Sequence, residues 1–368
     1  MAHSTVSNVS LAGIASAVPE PIITLADEAK MFGPTEIERI SQTVGVQQRH
    51  VATDLICSSD LCYAAGEKLL TELDWSRDSV DALVFVSQTG DYILPSTSCS
   101  LQDRLGLSKG CASLDINHGC TGYVYGMWVA SQLLSANGIK RVLLLVGDTT
   151  SRLVSPQDRS LATLFGDAGT ATALQWDKEA EDTYFELGSD GSGKEYLMVR
   201  AGGFRHPRTS QTGVRTEREN NNIRSDEDLF MDGAEVFTFA IREVPPLIKR
   251  IHDASGWTTE SVDAYLFHQA NKFMLDYLSK RARLPKEKVP LAMDHFGNTS
   301  CASIPLTLTT ELASRLSVGP MKLIMTGFGV GLSWGAVAMN CGPLVLPALQ
   351  VVPEPTSPSR GNAKVLAK

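Results

Sequence analysis

Cys120 lies in LDINHGCTGYVYGMWVASQLL, where an apolar, strand-like run ends at Gly119 and a long charge-free run begins. A thiol at a helix N-terminus faces unpaired backbone N–H groups and the positive end of the helix dipole, and both favour the thiolate. On that reading Cys120 is a nucleophile; free cysteine is also among the most buried and inert residue types, and this stretch alone leaves both readings open. His268 closes VDAYLFHQAN, and Asn298 stands in HFGNTSCAS. Taken singly, a strand-end histidine is more often a satisfied core residue and such an asparagine a cap or turn residue. Taken together, a thiol, an imidazole and a carboxamide fall at the ends of strand-like runs, where open α/β sheets place their sites. A fourth stretch, GFGVGLSWGA at 327–336, spaces its glycines for a tight turn whose amides can approach a ligand. It is not a dinucleotide fingerprint, because no GxGxxG opens a helix there; a plain glycine-rich hairpin is the other reading.

The elements that must position these residues are legible as short apolar runs bounded by Gly, Pro, Asp or Asn: VSLAGIA, VDALVFVSQ, ASLDIN, RVLLLVGD and GTATALQ. Between them lie helix-compatible stretches such as SSDLCYAAGEKLLTELDW, with a Ser/Asp start and apolar residues at helical spacing. Strands that are apolar throughout and alternate with helices predict a mostly parallel sheet covered on both faces. The second half repeats the first: VDAYLFHQA echoes VDALVFVSQ, LAMDHFGNTS echoes ASLDINHGC, and KLIMTGFG echoes RVLLLVGD. Asp81 and Asp115 are 34 residues apart, Asp263 and Asp294 31, so order and spacing agree with an internal duplication. The expected halves are 1–178, carrying the thiol, and 179–345, carrying the imidazole and carboxamide. Residues 202–230 form a polar excursion of the kind that serves as a lid or is mobile, and 346–368 a Pro/Ser-rich tail expected to be disordered.

Composition removes several function classes. The chain has 368 residues, 43% hydrophobic and 20% charged, and a net charge of −8, which fits a globular protein and offers nothing to nucleic acid. Its seven cysteines are scattered without CxxC spacing, so neither a disulfide framework nor a zinc site is expected, and a reducing cytoplasm suits them. No secretion signal is visible at the N-terminus. Residues 116–139 carry no charge, but Asn117, His118, Gln132, Ser135 and Asn137 interrupt them; the middle of a large domain explains such a helix better than a membrane does.

These motifs, in this order from about residue 8 to 342, resemble the β-ketoacyl-acyl-carrier-protein synthase III family of the thiolase superfamily. GCTGYVYG is similar to its nucleophile motif, DRSLATLFGDAGTA to the segment after its fourth strand, HQAN and GNTSCAS to its His and Asn motifs, and GFGVGLSWGA to its closing glycine loop. The resemblance implies the duplicated five-layer αβαβα thiolase fold, usually as a homodimer. It implies Cys120 as nucleophile for an acyl thioester, with His268 and Asn298 donating to a malonyl thioester as decarboxylation makes its enolate. Backbone N–H groups of Cys120 and Val330 would form the oxyanion hole. No metal or redox cofactor is implied; coenzyme A and acyl-carrier-protein thioesters are.

The resemblance also assigns substrate and carrier contacts to Arg159, Gly233, Asn271, Lys272 and Arg281, and to Leu94 a place on the floor of the partner subunit's acyl pocket. Within 272–288, six basic and two acidic residues give a local charge of +4, an island that would steer an acidic carrier; a solvated helix face reads the same. Departures from the family concern the coenzyme grip, where Arg39 and Thr43 replace a Trp and an Arg while Arg159 is kept, and the closing loop, where Val330 replaces a glycine. The first departure weakens the case for coenzyme A as the acyl donor, and the long excursion points to a specialised relative with a specialised starter. Two rivals remain: transfer of the acyl group to an oxygen or nitrogen nucleophile, and a non-catalytic synthase subunit, a type that typically lacks the nucleophile.

Overall fold

In the computed structural model, which describes residues 2–355, the strands fall into two large sheets. The strands that build them are β1 (Ala2–Val6), β2 (Val9–Pro19), β3 (Ala82–Val86), β4 (Ala112–Ile116), β5 (Arg141–Asp148), β6 (Ala168–Trp176), β7 (Thr183–Ser189), β8 (Ala264–Phe267), β9 (Met321–Gly329), β10 (Ser333–Cys341) and β11 (Gln350–Val352). The first sheet has the order β11-β2-β6-β5-β3-β4, the second β1-β7-β10-β9-β8. Helices α1 (Ser58–Glu72), α2 (Gly122–Ser135), α3 (Gly233–Ser255), α4 (Lys272–Arg281) and α5 (Ser303–Glu311) cover them. Helix α1 packs on the outer face of the first sheet and α3, backed by α4, on the outer face of the second, while α2 and α5 touch both sheets from between. This is the five-layer αβαβα thiolase fold.

The layering explains why central strands such as β3 and β8 are apolar at every position. Ala82, Val84 and Val86 of β3 point into the central layer, and Leu83 and Phe85 point to the outer cluster under α1. In β8 the same alternation sends Ala264 and Leu266 inward and Tyr265 and Phe267 outward. A strand alternates faces with period two, so a sheet covered on both sides needs apolar residues at both parities. Helix α2 is buried along Tyr123, Val124, Met127, Ala130 and Leu134 for the same reason. Among the described residues no helix is long and apolar enough to cross a membrane.

The duplication is visible in single hydrogen bonds. Asp81 precedes β3, its N–H donates to Arg141 O (3.0 Å), and its carboxylate accepts from Arg141 N (3.0 Å). Asp263 precedes β8, its N–H donates to Lys322 O (2.8 Å), and its carboxylate accepts from Lys322 N (2.8 Å). Each aspartate thus ties one strand start to the next strand of its own sheet.

Several expectations are corrected. The sheets are mixed: β3 runs parallel to β4 and β5, but β6 is antiparallel to both β5 and β2, and in the second sheet β8–β9 is the one parallel pair. Helical layers bury both faces whichever way a strand runs, so apolar patterning does not report direction. The echo LAMDHFGNTS is a helical turn, Met293–Phe296, and not a strand. The halves exchange their ends: β1 joins the second sheet, and β11, inside the stretch expected to be disordered, pairs parallel with β2 from Gln350↔Ala17 to Val352↔Pro19. Residues 356–368 of that tail lie outside the described residues.

The excursion is held rather than loose along its second part. Ile223 N donates to Gln157 O (3.3 Å), Ser155 Oγ to Ile223 O (2.6 Å) and Asn222 Nδ2 to Ser160 Oγ (2.8 Å). The Arg224 guanidinium meets the Asp158 carboxylate at 3.2 Å, with both side chains buried. Beyond this clamp the chain continues through Leu229–Met231 directly into α3.

Candidate active site

Cys120 follows β4 through Asn117–Gly119 and stands one residue before Thr121, the N-cap of α2. It is 9% exposed. Burial pushes its thiol up to about 11, helped by the negative field of Asp148, while the backbone amides of Val330 and of Cys120 itself pull the other way. The resting group is therefore the thiol, which corrects the thiolate expected from the helix N-terminus. The physical reason is that Cys120 precedes the first helical turn in a dry site, where desolvation outweighs two amide donors.

His268 is the first residue beyond β8, at the position matched by Val86 in the first half. Its Nδ1 lies 3.1 Å from Ser300 O and 2.8 Å from Ser303 Oγ. The Ser303 hydroxyl gives its own proton to Ser300 O at 2.8 Å. A carbonyl only accepts, so Nδ1 carries a proton and Nε2 is bare in the neutral ring. Burial holds His268 down to about 4, against the opposing pull of the Ser300 backbone, so the neutral form prevails at pH 7. In that form Nε2 accepts a proton and does not donate.

Asn298 is oriented by its own turn. Its Oδ1 accepts from Ser300 N (2.9 Å), and its Nδ2 donates to Ala270 O (3.4 Å), which leaves one Nδ2 proton to offer. Its backbone bridges to the 164–166 segment, with Asn298 N donating to Leu164 O (2.9 Å) and Gly166 N to Asn298 O (3.2 Å). The strands β9 and β10 close on the thiol from the far side. At Gly329, φ is +151°, and a Cβ there would stand 2.6 Å from Cys120 Sγ, so only glycine lets this backbone pass the sulfur.

Cys120, His268 and Asn298 line one cavity of about 60 Å³, walled by Leu164, Phe165, Leu197, Met231, Val236, Met274 and Phe328. Gly233 and Asn271 line it as well, and Asn271 also caps α4, its Oδ1 accepting from Met274 N (2.8 Å). The remaining sequence candidates lie outside this cavity. Arg159 is 3.5 Å from Glu36, which also faces Arg39 at 3.9 Å. Lys272 pairs with Asp276 at 2.7 Å, and Arg281 is exposed at the end of α4. Leu94 is 79% exposed beside Ile93 (81%) and Tyr92 (69%).

Sequence reasoning missed Ser300 and Ser303, which fix the imidazole, and an aromatic cluster on the basic face. In that cluster Phe273 and Tyr277 flank Phe237, with ring centroids at 5.5 and 5.3 Å. The i,i+4 spacing of Phe273 and Tyr277 was the available signal. The Arg49–Glu28 pair was missed too; both side chains are buried, and Arg49 Nη1 donates to Phe165 O (3.1 Å), steadying the cavity wall.

Comparison with known proteins agrees with this geometry. A family model described as 3-oxoacyl-(acyl-carrier-protein) synthase III matches residues 114–191, and one described as the C-terminal part of the same enzyme matches 252–341. The chain is 34% identical over 337 residues to a β-ketoacyl-(acyl-carrier-protein) synthase III of Bacillus cereus, covering 91% of this chain and 99% of that one. It is 33% identical over 331 residues to the Geobacillus kaustophilus protein of the same description, covering 90% and 98%. A solved 3-oxoacyl-(acyl-carrier protein) synthase from Burkholderia xenovorans LB400 superposes with a TM-score of 0.90 at 43% identity, covering 95% of this chain and 99% of that one.

Proposed function

Because the chain belongs to the 3-oxoacyl-(acyl-carrier-protein) synthase III family of condensing acyltransferases, we propose that Cys120, His268 and Asn298 carry its two-step reaction. The observation that supports this assignment is their convergence on one buried cavity, with the Gly329 backbone passing directly against the sulfur.

In the first step the Cys120 sulfur attacks the carbonyl carbon of an acyl thioester. His268 Nε2 takes the thiol proton and returns it to the departing thiolate, so an acyl-Cys120 thioester and a free thiol result. Starting from a neutral thiol and a neutral imidazole keeps both groups uncharged in the dry resting site, and charge appears only as the bonds change. The carbonyl oxygen turns toward the N–H groups of Cys120 and Val330. In the second step a malonyl thioester loses CO₂, its enolate carbon attacks the acyl carbon, and the Cys120 thiolate leaves and regains a proton from solvent. The Asn298 Nδ2–H faces the enolate oxygen. Negative charge arriving with the malonyl group favours the imidazolium, whose Nε2–H then becomes a second donor.

The carrier docks on α4, where Lys280, Arg281 and exposed Phe273 combine charge with apolar area. Engagement of Arg159 by Glu36 supports a carrier thioester over coenzyme A as the tighter donor. Two chains pair: β4 is an open sheet edge with partly exposed Leu114 and Ile116, and Tyr92, Ile93 and Leu94 present an uncovered apolar loop beside it. The test is intact-mass analysis against acyl-coenzyme A and acyl-carrier thioesters, followed by malonyl-carrier protein with CO₂ capture. An adduct absent from Cys120→Ala and CO₂ released in step with product are expected. Product formed without CO₂ would instead establish transfer to another nucleophile.

A further inference from the structure

His118 stands two residues before the thiol, and its ring stacks on Tyr125 at 4.3 Å and 20°. Tyr125 is itself fixed, its hydroxyl donating to Gly188 O at 3.0 Å. From His118 a chain of polar contacts crosses between the two halves. His118 Nδ1 is 3.1 Å from Thr121 Oγ1, Thr121 Oγ1 is 2.7 Å from Ser333 Oγ, and Ser333 Oγ is 2.8 Å from Val330 O. Thr121 and Ser333 are 0% and 1% exposed, so neither hydroxyl has bulk water as an alternative partner.

The direction of every proton in this chain follows from its last member. Val330 O only accepts, so the Ser333 hydroxyl donates to it. Having spent its one proton, Ser333 accepts from Thr121, and Thr121 in turn accepts from His118. His118 must then carry its proton on Nδ1. Burial depresses its basicity, in keeping with a neutral ring of that single tautomer.

We propose that His118, Thr121 and Ser333 form a one-way hydrogen-bonded relay that positions the Val330 segment, next to the Gly329 backbone that passes the Cys120 sulfur, so that the Val330 N–H can serve as an oxyanion donor. The relay rests on the acyl-Cys120 reading above. Its physical logic is that the Val330–Leu332 turn belongs to the second half and the thiol to the first. Strand pairing within β9–β10 fixes the turn relative to its own sheet only. Thr121, as N-cap of the helix that follows the thiol, supplies a direct tie between turn and nucleophile. A donor displaced by a few tenths of an ångström loses much of its effect on a developing oxyanion. These three are positioning residues, since none faces the cavity that holds the reacting groups.

The test has two independent parts. Nitrogen-15 NMR of the full chain is expected to show the His118 ring neutral with its proton on Nδ1; a proton on Nε2 would overturn the relay without any variant. Thr121→Val and Ser333→Ala are expected to slow acylation of Cys120 by acyl thioester about 10- to 100-fold with KM changed less than about twofold. Thr121→Ser, which keeps the hydroxyl, should recover to within about threefold, and Thr121→Val/Ser333→Ala should be no slower than the slower single variant because the groups act as one unit. His118→Phe keeps the stack, loses the donor, and is expected to cost about 3- to 10-fold. Wild-type acylation rates in folded Thr121→Val and Ser333→Ala would overturn the proposal. Absence of any adduct on the wild-type chain would overturn the acyl-enzyme reading instead, while the tautomer still decides the relay.

Discussion

The ionisation of Cys120 gives the sharpest test of the site, because structure and helix-terminus reasoning differ in sign. Raising the thiol from an ordinary 9 to about 11 is worth roughly 2.7 kcal/mol against the thiolate. At pH 8 about one thiol in a thousand would be ionised, against about one in ten for an unperturbed group. Alkylation by iodoacetamide should therefore be about 100-fold slower at Cys120 than at an unperturbed thiol of equal access. Access also slows the reaction, so the slope and not the absolute rate decides. The rate at the Cys120 peptide, followed by mass spectrometry from pH 7 to 10, should rise about tenfold per pH unit with no plateau. Exposed Cys99 provides the reference peptide in the same digest. A plateau below pH 8, or Cys120 reacting faster than Cys99 at pH 7, would refute the reasoning and restore a resting thiolate.

Replacing Asn298 with Ala should lower decarboxylative condensation by about 10²–10³ while leaving acylation of Cys120 within severalfold, measured as CO₂ release against adduct formation. Gly329→Ala places a methyl 2.6 Å from the sulfur at a φ unsuited to alanine, and adduct formation should fall by at least about 100-fold. His268 has a folded-state value of about 4 against 6.5 when unfolded, so its contribution to stability is full above about pH 6.5 and is lost as pH falls toward 4. Denaturant unfolding should show up to about 3 kcal/mol more acid sensitivity in the wild type than in His268→Asn. Asp158→Ala leaves the buried Arg224 guanidinium with the exposed Glu219 as its remaining carboxylate partner. The expected loss is about 3 kcal/mol in denaturant unfolding, with faster proteolysis inside 202–222.

Much of this molecule could be read along the chain. Apolar runs closed by His268 and the aspartates before β3 and β8 exposed two copies of one unit, because each copy must bury the same strand faces and tie the same strand starts. Cys120, Asn298 and the glycines of the closing loop each had a plain packing or turn reading when taken singly, and stood out only through their joint place at the ends of strand-like runs and through the resemblance of their motifs. Strand direction was not, since a sheet covered on both faces uses the same residues whichever way a strand runs. Nor was the exchange of β1 and β11 between the halves, which depends on edges that become available only when two sheets stack. Above all, the protonation states of Cys120 and His268 belong to the tertiary structure. The same thiol beside a solvated helix end would be acidic, and the same imidazole in water would titrate near neutrality. Burial in one dry cavity keeps both groups neutral, with Ser300 and Ser303 fixing which imidazole nitrogen is bare.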